Sequence, residues 1–272
     1  MPKVVLITTG KAEFCGLPAA LGRLFPDVDF IPEGPVDSFT TARVVPLPTD
    51  RKIEANVDKL AARLVAAVNP GRKTKSQERA DLAFVIEDLE LVNVDQPQVV
   101  VDTLRSAVQR HVDKLPWNLK RKEETHERLR ERGSFHLFMP MLETYFFGDP
   151  AALQRAGTKQ TPKLAAGVDL EAFEAIDSLF LSEPGAHAKH PKRYLAHLCQ
   201  RDGNQYREAH QGAAALRDLD WSQVLAALLH VQFLRALIHD LADGLGVPPP
   251  FAGNCSPITF RLGHPNNTLR NL

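Results

Sequence analysis

An apolar run of strand character, Leu82–Ile86, ends abruptly in Glu87, Asp88 and, one residue on, Glu90. A strand buried on both faces reads as an unbroken apolar run. In open α/β sheets, ligands bind just beyond the carboxyl ends of such strands. Side chains two apart on a strand share a direction, so Asp88 and Glu90 are expected to face one point and Glu87 to face away. Two carboxylates at one point resist joint ionisation unless a cation neutralises them. Hard cations such as magnesium or manganese suit oxygen donors. The other reading of the same residues is a solvated acidic turn closing the strand.

A second acidic element lies near the start of the chain. Val4–Ile7, Thr8, Thr9, Gly10, Lys11, Ala12 and Glu13 read as a strand, a glycine turn and a helix start. Amides at a helix N-terminus can meet an anion, and Lys11 would add charge near a phosphate. The helix dipole alone also favours a glutamate in the first turn, so Glu13 has a purely local explanation as well. The spacing is not that of a Walker A loop, which excludes a P-loop nucleoside triphosphatase. In a parallel sheet both strands end at the same edge, and Glu13 would approach Asp88 and Glu90 across the crevice. Three acids around a divalent ion suit phosphoryl transfer, in which the metal polarises phosphate and activates water.

Glu143 sits in the otherwise apolar stretch Met141–Phe147. A glutamate there is either on a polar face or buried with a partner or a metal. Asp149 before Pro150 is expected to be the N-cap of a helix beginning at Pro150. His187, His190, His197 and Cys199 have no common zinc-ligand spacing. His210, near a helix, is expected to cap or pack.

The elements that must position these residues alternate in type. Strands are expected over 3–9, Val28–Pro32, 39–47, the acid-tipped apolar run from Leu82, and Ser134–Pro140. Helices are expected over about Glu13–Phe25, 51–68, Pro97–Lys114 and from Met141. Ile53, Val57, Leu60, Leu64 and Val68 make the apolar stripe of the second of these. Residues 71–80 read as a polar basic loop, and the charged stretch 118–132 as a solvated helix or loop. Strands alternating with helices imply crossovers and a parallel sheet. After about residue 151 strand signals stop, and helices are expected at 191–201, 205–217 and 221–244. The domain reading is an α/β core over 1–150, a helical region over 151–245 and an irregular tail over 246–272. That tail is expected to order on a partner.

Composition narrows the class. Of 272 residues, 44% are apolar, enough for a substantial core, and 33 basic residues balance 33 acidic ones. That balance argues against a globally basic nucleic-acid binder and leaves room for a local patch. Three well-separated cysteines give neither a disulfide framework nor a CxxC motif, which leads to the expectation of a reducing, cytoplasmic setting. No apolar run is long enough for a signal peptide or a membrane span, so no membrane association is expected.

Taken together, four segments resemble the Toprim-like proteins that often accompany ATPases in bacteria. Their core is related to that of overcoming-lysogenisation-defect nucleases, topoisomerases and bacterial primases. The segments are Thr9-Gly10-Lys11-Ala12-Glu13, Asp88-Leu89-Glu90, Met141 to Leu153 through Glu143 and Asp149-Pro150, and Tyr206 with His210-Gln211-Gly212. The resemblance covers roughly 3–245, and its third segment is the most specific. It departs where the family has a glutamate and this chain has Thr9, where the second aspartate is Glu90, and at Met141 and Tyr145. It implies a Toprim-like parallel sheet flanked by helices, with a helical C-terminal region. The implied activity is a magnesium- or manganese-dependent nuclease or phosphotransfer subunit in bacterial antiviral defence or DNA processing, with an ATPase and nucleic acid as partners. Asp88, Glu90 and Glu13 would hold the ion, Glu143 would support the site, and Lys11 would steady the phosphate. The alternative, favoured by Thr9, is a catalytically degenerate subunit that binds an ATPase or nucleic acid.

Overall fold

The computed structural model describes residues 1–35, 39–44, 56–69, 80–158, 160–167, 169–201, 206–226, 231–251 and 268–272. Four strands, β1 (Lys3–Thr8), β2 (Asp29–Glu33), β3 (Leu82–Asp88) and β4 (Gly133–Phe138), form one parallel sheet in the order β2-β1-β3-β4. The helices are α1 (Lys11–Leu24), α2 (Val57–Val68), α3 (Pro97–Lys114), α4 (Leu119–Arg132), α5 (Pro150–Ala156), α6 (Ser178–Leu181), α7 (Pro191–Arg201), α8 (Ala213–Arg217), α9 (Trp221–Ala226) and α10 (Gln232–Leu245).

The central strand is the acid-tipped one. Every residue of β3 from Leu82 to Glu87 is buried, as a strand covered on both faces requires. Leu82, Phe84 and Ile86 face a core shared with α1, α5 and the later helices. Ala83 and Val85 face a second core with α2 and α3. Removing a ring such as that of Phe84 would cost about 3–5 kcal/mol, because packed surroundings relax only in part. β2 tolerates Pro32 because it is an edge strand, where a missing N–H breaks no ladder.

At β4, the outer edge of the sheet is covered. Arg270 N donates to Gly133 O at 2.8 Å, and the Asn271 amide bonds both the N–H and the carbonyl of Phe135. Covering an edge in this way blocks pairing with another chain. Residues 268–272 therefore order on their own chain, with Leu269 and Leu272 buried, rather than waiting for a partner as the tail was expected to do.

Other differences have local causes. The described part of the strand expected over 39–47 is instead a 3-10 turn at Thr41–Arg43, and 45–47 lie outside the described residues. Its hydroxyls are engaged: Thr40 caps the turn, and Thr41 Oγ1 donates to the carbonyls of Asp88 and Leu89. Side-chain bonding of this kind competes with strand formation. The segment after Met141 is a 3-10 helix over Leu142–Gly148, and α5 follows with Asp149 as its N-cap, as expected. Residues Glu208–Gly212 form a π-helical turn with His210 exposed in its last turn, so His210 does not pack in the core. The expected basic loop lies outside the described residues but for Ala80.

The expected division at residue 150 is not a division of the core. Trp221, Leu234 and Leu237 share one apolar cluster with Leu6, Phe84 and Leu17, and Trp221 Nε1 donates to Ala20 O on α1. After Pro150 the only strand-type pairing among the described residues is a single bridge between Leu164 and Ala175.

Candidate active site at the carboxyl edge of the sheet

The register of β1 and β3 sets Thr8 beside Ile86, so Thr9, the first residue after β1, stands next to Glu87, which is still within β3. Thr9 Oγ1 donates to Glu87 Oε2 at 2.5 Å. Glu87 does not face away from its neighbours. It lines a cavity of about 160 Å³ together with Glu13, Asp88, Glu90, Thr9, Thr40 and Lys192. The period-2 expectation failed because the strand ends at Asp88 and the chain turns at once. Glu90 has φ 66 and ψ 150, a backbone that carries its side chain back over the strand end.

Each acid is held differently. Asp88 Oδ1 accepts from Leu142 N at 2.8 Å, which ties the end of β3 to the start of the 3-10 helix. Glu90 N donates to Pro140 O, and Thr40 Oγ1 reaches Glu90 Oε1 at 3.4 Å. Glu13 lies in the first turn of α1, 6% exposed, and its carboxylate curls back over Gly10. A Cβ at Gly10 would stand 1.9 Å from Glu13 Oε2, so only glycine leaves the carboxylate that place.

Glu143 is buried with partners, one of the two options open to it. Its Oε1 accepts from Tyr206 OH at 3.0 Å and lies 3.7 Å from Lys192 Nζ, which also pairs with Glu208. Gly212 makes this possible, since a Cβ there would be 2.6 Å from Tyr206 OH. The Tyr206 and Gly212 positions thus serve Glu143, and Lys192 is the cation at the cavity. Lys11 is exposed and does not line it. Lys192 and Glu208 were missed because nothing local marks them. Lys192 opens α7 about a hundred residues after β3, and only tertiary packing brings it to the edge.

Burial and mutual repulsion raise the acids. Burial pushes Glu13 up to about 8, with Glu143 and Glu208 adding to it. Burial, with Glu13, Glu143 and Glu90 nearby, holds Asp88 well above the usual carboxylate range. Glu87 is raised well above it by burial despite the Thr9 hydrogen bond, and Glu90 and Glu143 are raised by burial too. Lys192 is shifted further toward its charged form, because its acidic neighbours outweigh the cost of its burial.

Among the described residues, no set of three or more His, Cys, Asp or Glu side chains stands in an arrangement that would already hold a metal ion. The shared ion site expected of Glu13, Asp88 and Glu90 is therefore not preformed, although all three line one cavity. The donor chemistry nonetheless fits a hard cation. The set is all carboxylate oxygen, and Glu13 Oε2 and Glu87 Oε1 are buried with no hydrogen-bond partner among the described residues. Among the described residues the histidine segment forms no metal-holding group: His197 Nδ1 pairs with Glu183 at 2.6 Å, and Cys199 Sγ bonds Ala156 O.

The fold and site define an α/β protein with an acidic cleft at the carboxyl edge of a four-stranded parallel sheet. No known family model matches this chain, and neither a curated protein nor a solved structure does so significantly. Among the described residues, no helix is long and apolar enough to cross a membrane.

Proposed function

We propose that the carboxyl-edge cavity takes magnesium or manganese and that the chain acts as a nuclease or phosphotransfer subunit on phosphodiesters. One observation supports this most. Two carboxylates more than nine-tenths buried, Glu13 and Glu87, each leave an oxygen without a partner among the described residues, on the cavity that Asp88 and Glu90 also line. Uncompensated burial of charge is costly, and a dication reverses that cost. A bound dication would supply Lewis acidity toward phosphate oxygens. Glu13, Asp88 and Glu90 would hold it. Lys192, charged at the same cavity, would bind a non-bridging phosphate oxygen. Glu143 and Tyr206 would keep Lys192 in reach.

A second reading rests on its own observation. Lys192 answers Glu143 and Glu208, and Thr9 answers Glu87, so part of the acidic charge is met within the chain. On that reading the chain is a catalytically degenerate subunit that binds an ATPase or nucleic acid.

Thermal melting with and without manganese, beside cleavage assays on DNA and RNA, separates the outcomes. At a cation concentration about a hundred times Kd, binding adds about 2.7 kcal/mol, a melting shift of about 5–10 °C for a chain of this size. Asp88→Asn keeps the acceptor for Leu142 N but removes the charge. It should abolish that shift and any cleavage, with the metal-free melting point kept or raised. A cation-induced shift without cleavage, alone or with an ATPase, selects the degenerate subunit. No shift in the unsubstituted protein ends the cation reading.

A further inference from the structure

We infer that Glu87 is a ligand of the cation and that Thr9 is the residue that aims it, an inference that rests on the cation reading above. Three observations converge on Glu87. Its side chain is 4% exposed and lies on the acidic cavity. Thr9 Oγ1 donates to Oε2, and Oε1 has no partner among the described residues. Across the cavity, the Glu13 carboxylate is 6% exposed with Oε2 in the same condition.

The contrast with Glu171 makes the point. Glu171 is a buried carboxylate with a structural task, and the chain satisfies it fully. It accepts from Gln232 N, Phe233 N and Leu234 N at the start of α10 and from Tyr145 OH, over 2.7–3.1 Å. A carboxylate buried only to pack or to cap is treated in that way, since an unmet buried acceptor costs about 1–3 kcal/mol. Glu87 is not. The hydroxyl and the backbone N–H of Thr9 hold the carboxylate from one residue, while Oε1 stays buried with no partner among the described residues, on a side chain that lines the cavity. An outer partner that orients a ligand by hydrogen bonding is the common arrangement around metal-binding carboxylates. The β1–β3 register ends at Thr8 beside Ile86, which brings Thr9, the residue just after β1, next to Glu87 in β3. Threonine at position 9 then has a positive role. Its hydroxyl can donate to a carboxylate, whereas an acid there would repel Glu87.

The test is the manganese dissociation constant, read from the paramagnetic resonance signal of free manganese. It is measured for the full chain, Glu87→Gln, Thr9→Val and Thr9→Ser, with metal-free melting points on the same samples. Glu87→Gln should weaken binding at least about tenfold, while the metal-free melting point stays or rises, since a neutral amide is cheaper to bury. Thr9→Val should weaken binding about tenfold and Thr9→Ser should restore it, because only the hydroxyl is needed. If the unsubstituted chain binds no manganese, the cation reading fails and this inference with it. If it binds and Glu87→Gln binds as tightly, Glu87 is no ligand while the cation reading stands. Should Glu87→Gln not fold, the position-9 pair decides, and equal dissociation constants for Thr9→Val and Thr9→Ser overturn the inference.

Discussion

Glu90 carries its carboxylate on a backbone that glutamate rarely adopts, with φ 66 and ψ 150. That region belongs almost wholly to glycine and costs other residues about 1–3 kcal/mol. The strain is held by Glu90 N on Pro140 O and by burial of Leu89. Glu90→Gly should remove the strain and one of several mutually repelling acids, against about 0.5–1 kcal/mol of added chain entropy. The expected result is a metal-free protein about 1 kcal/mol more stable in urea, with weaker manganese binding. Gly10 poses the converse case. An added methyl meets the end of the Glu13 side chain, which can swing away, and not backbone. Gly10→Ala should therefore fold with a loss of no more than about 1 kcal/mol, the scale of an N-cap change. It should nevertheless lose manganese binding, because the Glu13 carboxylate is displaced. Retained affinity would show that Glu13 is not a ligand.

At the scale of elements, the C-terminal residues act as a strap across β4 and α10. Arg270 Nε donates to Asp240 Oδ1 at 2.9 Å and pairs with Asp243, while Asp240 Oδ2 shares a 2.9 Å hydrogen bond with His136 Nε2. Burial alone would raise the Asp240 carboxyl, but the bond to His136, the Ser134 hydroxyl and the Arg270 charge together hold it below the usual range. A folded pKa below the unfolded value of about 3.9 means that the unfolded chain binds the proton more readily. The stabilisation is then present above about pH 4 and lost as pH falls through the folded value. Asp240→Asn should cost about 2 kcal/mol near neutrality, less than the ~3–5 kcal/mol of a fully buried pair because Arg270 keeps Asp243. Its stability should also fall less steeply in acid. Urea titrations from about pH 3 to about pH 7 measure both, and an unchanged acid slope would refute the assignment.

For the molecule as a whole, the two tryptophans report on opposite ends of the same question. Trp117 lies between α3 and α4, under the Arg121 guanidinium, and Trp221 is buried against α1. Because the C-terminal helices complete the core over β1 and β3, the chain should unfold as one unit. Trp117→Phe and Trp221→Phe each leave one fluorophore. Their urea midpoints, corrected for the stability change of each substitution against far-ultraviolet circular dichroism of the same variant, should coincide with the loss of helix. A Trp117 signal that outlasts the helical signal would instead give residues 1–150 an independent fold.

Much of this was legible in the chain because it is set locally. Continuous apolar runs marked β1 and β3, since strands covered on both faces are largely apolar. Pro97 and Asp149-Pro150 marked helix starts, since proline suits a first turn and aspartate accepts its free amides. Alternation of strand and helix implied the parallel order, and with it a meeting of Glu13, Asp88 and Glu90 at one edge. What no local pattern carries was decided by packing. The direction of Glu87 depends on where β3 stops and on the register of its neighbour, not on its own spacing from Asp88. Lys192 and Glu208 line the cavity from far along the chain, and Tyr206 meets Glu143 across 63 positions in sequence. Such contacts arise when apolar faces distant in the chain find one another, and polar groups carried on those faces are placed as a consequence.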